Sequence, residues 1–118
     1  MKVENLLGLA TVPFLLALSN SAFSIGTRKQ MIKRDNGACV DCGKRFDDGW
    51  LLDCSHVDHD HSSELYDDVN NGRVQCLDDH LKYHLSIGDI NSANLIKKRI
   101  RETRGGHTRA WLDQHPEK

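Results

Sequence analysis

Residues 6–18 are apolar on every side of a helical wheel, with Pro13 in the middle, a pattern too uniform for an amphipathic surface helix. The run falls short of the ~20 residues that a membrane-spanning helix needs and fits the apolar stretch of roughly 7–15 residues in a signal peptide. Small residues for a cleavage site follow at Ser19, Ser21 and Ala22, but Lys2 is followed by Glu4, so the positive start is weak. Export, a membrane anchor and a non-functional extension are equally compatible with residues 1–24.

From Thr27 the pattern is that of a small folded module. Thr27-x-x-Gln30 is a capping-box pattern and predicts a basic helix carrying Met31 and Ile32, ended at Asn36-Gly37. Residues 50–57 are mostly apolar and predict a strand. Residues 62–72 read as a polar loop closing on the turn Asn70-Asn71-Gly72, with a short return strand at residues 73–75. Asp78 and Asp79 suit the positive end of a helix dipole and open a helix to about Gly88. A second helix is expected over residues 92–104, with Ile96 and Ile100 inward and the bases outward. Gly105-Gly106 ends it, and Thr108 caps a last short turn that carries Trp111 and Leu112.

Charge changes the picture, because a formal net charge of -1 hides an uneven distribution. From Asp47 to Asp79 there are ten acids and one base, Arg73. Arg28, Lys29, Lys33 and Arg34 precede that stretch; Lys97, Lys98, Arg99, Arg101, Arg104 and Arg109 follow it. An acidic cation-binding centre between basic flanks suits a phosphodiester substrate, although either flank alone reads equally well as a solvated helix face. The basic cluster after the apolar run also favours a cytoplasmic module.

The candidate chemistry lies between Cys54 and His84, which holds five of the 7 histidines and two of the 4 cysteines. Histidine, aspartate and thiolate bind transition metals. The spacing Cys39-x-x-Cys42, followed by Gly43, predicts a zinc knuckle; no βαβ pattern surrounds it, which argues against a thioredoxin-like role. Cys76, His80 and His84 recur at i, i+4 and i+8 and share one helix face. Cys54 reads as a buried strand residue, Trp50 and Trp111 as core, and His107 and His115 as surface residues.

Strand, loop, strand and helix, with Asp58-His59-Asp60-His61 at the first strand's end, Asn71 in the loop and His80 on the helix, resembles the HNH nuclease family and its ββα-metal fold. The resemblance covers residues 28–85 and is closest to short phage-type HNH proteins; the DHDH run is also similar to phage endonucleases that resolve DNA junctions. It implies a small α+β fold: an HNH module with a zinc knuckle at residues 25–88, between the apolar segment 1–24 and a basic helical segment 89–118. It further implies a metal-dependent endonuclease acting on DNA, with a histidine general base, a structural Zn²⁺ and a catalytic Mg²⁺ or other divalent cation.

Carried over by position, Asn71 matches the motif asparagine and His80 the metal histidine. The base is His59, which has Asp58 beside it, or His56, whose distance from Asn71 is the more usual one. Asp58, His80 and His84 are the metal candidates, and Lys97, Lys98, Arg99 and Arg101 the nucleic-acid contacts. One position departs from the family pattern. The second knuckle reads Cys76-Leu77-Asp78-Asp79-His80, so the fourth zinc ligand beside Cys39, Cys42 and Cys76 is either Asp79 or His80. That departure supports the alternative of a catalytically decayed zinc module that binds nucleic acid or protein. A homodimer is compatible with the sequence, no small-molecule cofactor is implied, and membrane contact would come only through residues 1–24.

Overall fold

The computed structural model describes residues 23–117. Among these residues it is a small α+β fold with a two-stranded antiparallel sheet and four α-helices, α1 (Ile25–Arg34), β1 (Leu52–His56), β2 (Gly72–Cys76), α2 (Leu77–Ser86), α3 (Ile90–Glu102) and α4 (Arg109–Gln114). The apolar segment and its export or anchor reading lie outside the described residues, apart from the end at Phe23 and Ser24. Among the described residues no helix is long and apolar enough to cross a membrane.

The module begins earlier than residue 25. Ser24, not Thr27, caps α1, its hydroxyl accepting from Thr27 N. Phe23 is buried in the core with Met31, Cys54 and Val74. The Thr27-x-x-Gln30 pattern misleads because Ser24, three residues earlier, accepts the Thr27 amide and starts the helix one turn sooner. Arg34, at the end of α1, donates to Val69 O at 2.6 Å and to Gly72 O at 3.0 Å, pinning the helix to the turn between the strands. A Cβ on Gly72 would run into the end of the Met31 side chain, so α1 lies close on β2 here and a larger residue would force Met31 to repack.

The register pairs Leu52 with Cys76, Asp53 with Gln75, Cys54 with Val74, Ser55 with Arg73 and His56 with Gly72. Opposed residues share a face. One face therefore carries Leu52, Cys54, His56, Val74 and Cys76, and α1 packs on it. The other carries Asp53, Ser55, Arg73 and Gln75 and faces α2. Apolar packing holds one side of this sheet, and hydrogen bonds hold the other.

The C-terminal segment is part of the same body. Leu51 N donates to Gly106 O at 2.8 Å and Thr108 N to Gly49 O at 2.9 Å. Trp50, His107, Trp111 and His115 stack in a row with centroid spacings of 4.2, 3.6 and 4.0 Å. His107 is thus half-buried in the stack, not a free surface residue; His115 is exposed. Gly49 adopts φ 96° directly against Trp111, where a Cβ has neither the backbone freedom nor the space.

Candidate metal centre and histidine cluster

Two groups of side chains meet on α2. At its N-terminus, Cys39, Cys42, Cys76 and Asp79 converge, with their ligand atoms all within 4.8 Å of one another. Cys39 Sγ and Cys76 Sγ lie 3.2 and 3.3 Å from Asp79 Oδ2, and Cys42 Sγ lies 3.7 Å from Cys76 Sγ. Tetrahedral zinc with Zn–S of about 2.3 Å and Zn–O of about 2.0 Å separates sulfurs by about 3.8 Å and sulfur from oxygen by about 3.5 Å. The donor set therefore fits zinc in both chemistry and spacing. Burial pushes the Cys76 thiol well up, and the Asp79 carboxylate adds to it. A dication resolves that conflict, since a coordinated thiol is deprotonated. Asp79, not His80, is the fourth member. It stands at the third position of α2, where its own N–H reaches back to the capping Cys76 sulfur at 3.4 Å.

One turn further along α2, His80 and His84 face each other with Nε2 atoms 3.0 Å apart. His80 Nδ1 lies 2.7 Å from Asp53 Oδ2, and His84 Nδ1 lies 3.1 Å from Asp89 Oδ2. A carboxylate only accepts, so both Nδ1 atoms carry hydrogen. The two Nε2 atoms then face each other either through a hydrogen on one of them or through a cation held by both lone pairs. Carboxylate-backed imidazoles are the usual arrangement of metal-ligating histidine, and two nitrogens about 2.05 Å from one ion lie about 2.9–3.3 Å apart. Burial pushes His84 down, the neighbouring His80 adding to it. Asp53 is fully buried; burial alone would raise its carboxyl, but His80 and Arg99 hold it below the usual carboxylate range.

Arg99 supplies that charge by donating to Asp53 Oδ2 at 3.0 Å. It is therefore an internal partner of the cluster, unlike Lys97, Lys98 and Arg101, which are exposed on α3. A helical turn of bases reads alike from sequence whether or not one of them reaches across to a buried acid.

The loop after β1 is held by Asn71. Its Oδ1 accepts from Asp58 N at 2.7 Å, and its Nδ2 donates to Asp58 O at 3.0 Å and Tyr66 O at 3.1 Å. Just beyond, His59 is exposed and its Nε2 is 2.9 Å from the Tyr83 hydroxyl, with its ring 6.0 Å from that of His84. Asp58 does not join the histidine pair in a metal set: among the described residues only the cysteine–aspartate group converges in that way. The Asp58 carboxylate instead accepts from Asp60 N at 2.9 Å, a local turn that the Asp-x-Asp sequence favours.

His56 is not placed for chemistry. It is buried between Phe23 and Tyr66, with ring centroids at 3.6 and 3.9 Å. Burial pushes its imidazole down to about 4, helped by His59 and His61. The unfolded imidazole titrates near 6.5, so below that pH the unfolded chain binds the extra proton and stability falls as pH drops from 6.5 towards 4. The loss for this group should reach at most about 3 kcal/mol, and His84 adds in the same direction. Urea titrations at about pH 7 and about pH 4.5 measure it. His56→Phe, which keeps the ring sandwich, should remove the His56 share of the loss and leave the shares of His84 and of acid release of metal from the cysteine–aspartate group; an undiminished pH slope in that variant would show that His56 is solvated.

Asp53, Tyr83 and Asp89 were not marked by motif, yet two of them had a signal. Alternation along residues 52–56 sets Asp53 and Ser55 opposite Leu52, Cys54 and His56, and Asp89 is a helix cap one turn from His84. Compared with known proteins, the chain matches no family model, no curated protein and no solved structure at a significant level.

Proposed function

We propose that this protein is a metal-dependent endonuclease of the HNH type, hydrolysing phosphodiester bonds in DNA. The observation that carries the reading is the hold of Asn71 on both backbone groups of Asp58, which presents His59 across from the His80–His84 pair. His59 is the general base. It takes a proton from water as the water oxygen bonds to phosphorus and the phosphorus–oxygen bond to the leaving sugar breaks. Tyr83, through its hydroxyl, orients the His59 ring. His80 and His84 would hold the cation, their tautomers fixed by Asp53 and Asp89. When bound, the cation neutralises charge on the phosphate and the leaving oxygen. Two imidazole ligands favour a transition ion such as Mn²⁺, Co²⁺ or Ni²⁺ over Mg²⁺, which prefers oxygen. Zinc in the cysteine–aspartate site is structural and fixes the start of α2. Lys97, Lys98 and Arg101 on α3 contact the phosphate backbone.

The test is supercoiled plasmid incubated with the full chain and each divalent ion. Nicking is expected with a transition ion and not after the added ion is withheld. Absence of cleavage by folded, zinc-loaded protein with every ion would favour the other reading, a non-catalytic zinc module. That reading draws its support from Asp58 standing apart from the histidine pair.

A further inference from the structure

A cavity of about 300 Å³ opens beside the Asn71 clamp, lined by Asp58, Ser63, Leu65, Asp68, Asn70 and Asn71. Neither the cysteine–aspartate group nor the histidine pair uses it. Its size is at the lower end of small-ligand pockets, about 300–1,000 Å³, and Asp58 places its edge one residue from His59. Local turns take one oxygen of each carboxylate: Asp58 Oδ1 accepts from Asp60 N at 2.9 Å, and Asp68 Oδ1 from Asn70 N at 2.8 Å. Asn71 uses its whole amide on Asp58 and Tyr66. Among the described residues, Oδ2 of Asp58, Oδ2 of Asp68 and the Asn70 side-chain amide are left without partners. Beside them Leu65 is 66% exposed, an apolar wall to an otherwise polar cavity. A bound cation does not account for this arrangement, because among the described residues only the cysteine–aspartate group brings metal ligands together.

We infer that this cavity takes an unpaired guanine beside the scissile phosphate and so sets a base preference for cleavage. The inference rests on the nuclease reading. Guanine alone among the four bases has two adjacent donors, N1–H and N2–H, on its pairing edge, and a carboxylate offers two adjacent acceptors. Asp68 takes that pair; its Oδ1 has a second lone pair beyond the one used by Asn70 N. The Asn70 amide donates to guanine O6, and Leu65 lies against the flat ring. Adenine and cytosine put a ring-nitrogen lone pair beside their amino group, and thymine flanks its one N–H with carbonyls. Each therefore sets an acceptor against the carboxylate, which excludes it by repulsion. The edge that is read is the one base pairing covers, so the base must be unpaired or turned out of the duplex. The same carboxylates repel phosphate and leave the backbone to the His59 side.

Four duplexes that differ only in one unpaired base, G, A, C or T, test this with the full zinc-loaded chain. Binding is read by fluorescence anisotropy without added ion, and cleavage with Mn²⁺ is mapped on the labelled strand. The wild type should bind and cut beside the unpaired G about tenfold better than beside the other three. Asp68→Asn keeps the turn cap, since asparagine caps as well as aspartate, but sets a donor where guanine needs an acceptor. It should abolish the preference while binding all four strands slightly more tightly, because a negative charge is gone. The ratio of G to the other bases is thus the readout that a merely structural or electrostatic role of Asp68 leaves unmoved. Asn70→Ala should lower the ratio without abolishing it. A full preference in folded Asp68→Asn, or binding of free guanosine with no preference among the strands, would overturn the assignment. A wild type that neither binds nor cuts any strand would sink the nuclease reading and this inference with it, whereas cutting all four alike would sink the inference alone.

Discussion

Stripped of divalent metal by a chelator, the protein should lose its cooperative thermal transition and most of its far-UV helical signal. The apolar core is thin: Phe23, Met31, Leu52, Val74 and a few neighbours on one face of the sheet, with α2 and α3 contributing Leu77, Ala93 and Ile96. Total stability of a domain this size is about 5–15 kcal/mol, while structural zinc in small metal domains contributes about 10–16 kcal/mol. Removing the ion therefore removes as much free energy as the fold possesses. It also leaves three thiols and a carboxylate crowded within 4.8 Å. The cluster ties the 39–43 turn to the first turn of α2, so its loss frees the helix that carries His80 and His84. Cys39→Ser and Cys42→Ser should behave like the chelated wild type. Asp79→Cys should remain folded and hold the metal more tightly, because a thiolate replaces a carboxylate on a soft ion. A melting curve unchanged in protein shown by elemental analysis to be metal-free would refute a structural role.

His59→Ala should lower plasmid nicking by about 10²–10⁴-fold, the usual contribution of a general base, while His56→Phe should nick within a few-fold of wild type. The two histidines are three residues apart but occupy opposite environments. His56 ends β1 on the face that packs against α1, sealed between Phe23 and Tyr66. His59 lies past Asp58, where the strand has ended and the chain is exposed. A buried imidazole that stays neutral down to about 4 neither reaches a phosphate nor holds a proton at neutral pH. Thermal melts of both variants separate loss of chemistry from loss of fold. Nicking that survives in His59→Ala and vanishes in folded His56→Phe would reverse the assignment.

Much of the cysteine–aspartate group was legible in the order of cysteines, because ligand spacing is a local property: Cys39 and Cys42 share one turn, and Cys76 is followed three residues later by Asp79. What spacing left open was whether Asp79 or His80 completes the group. That depends on which side of α2 meets the knuckle and which meets the sheet, and Asp53 settles it by drawing His80 away. The elements themselves were read to within a few residues, but three of the caps were not: Ser24, Cys76 and Asp89 start helices expected at Thr27, Asp78 and Ser92, while Thr108 caps where expected. Burial was less legible. Nothing local to His56 says that Phe23 and Tyr66, separated from it by 33 and 10 positions, close over it. Arg99 is a similar case. Its neighbours Lys97, Lys98 and Arg101 face water, and only the docking of α3 on α2 shows that it reaches Asp53.

The grip of Asn71 on Asp58 has a consequence for how the site could be altered over time. A side-chain amide here imitates one more rung of the β ladder, and it fastens the chain at Asp58 and Tyr66 rather than along the segment between them. The stretch from residue 60 to residue 65 is thereby uncoupled from the position of His59. It could be lengthened, shortened or exchanged with little disturbance upstream, since it is exposed except for Ser63 and its hydrogen bonds are chiefly internal turns. The machinery and the surface beside it are in that sense separate modules, one fixed by an amide clamp and the other free to drift.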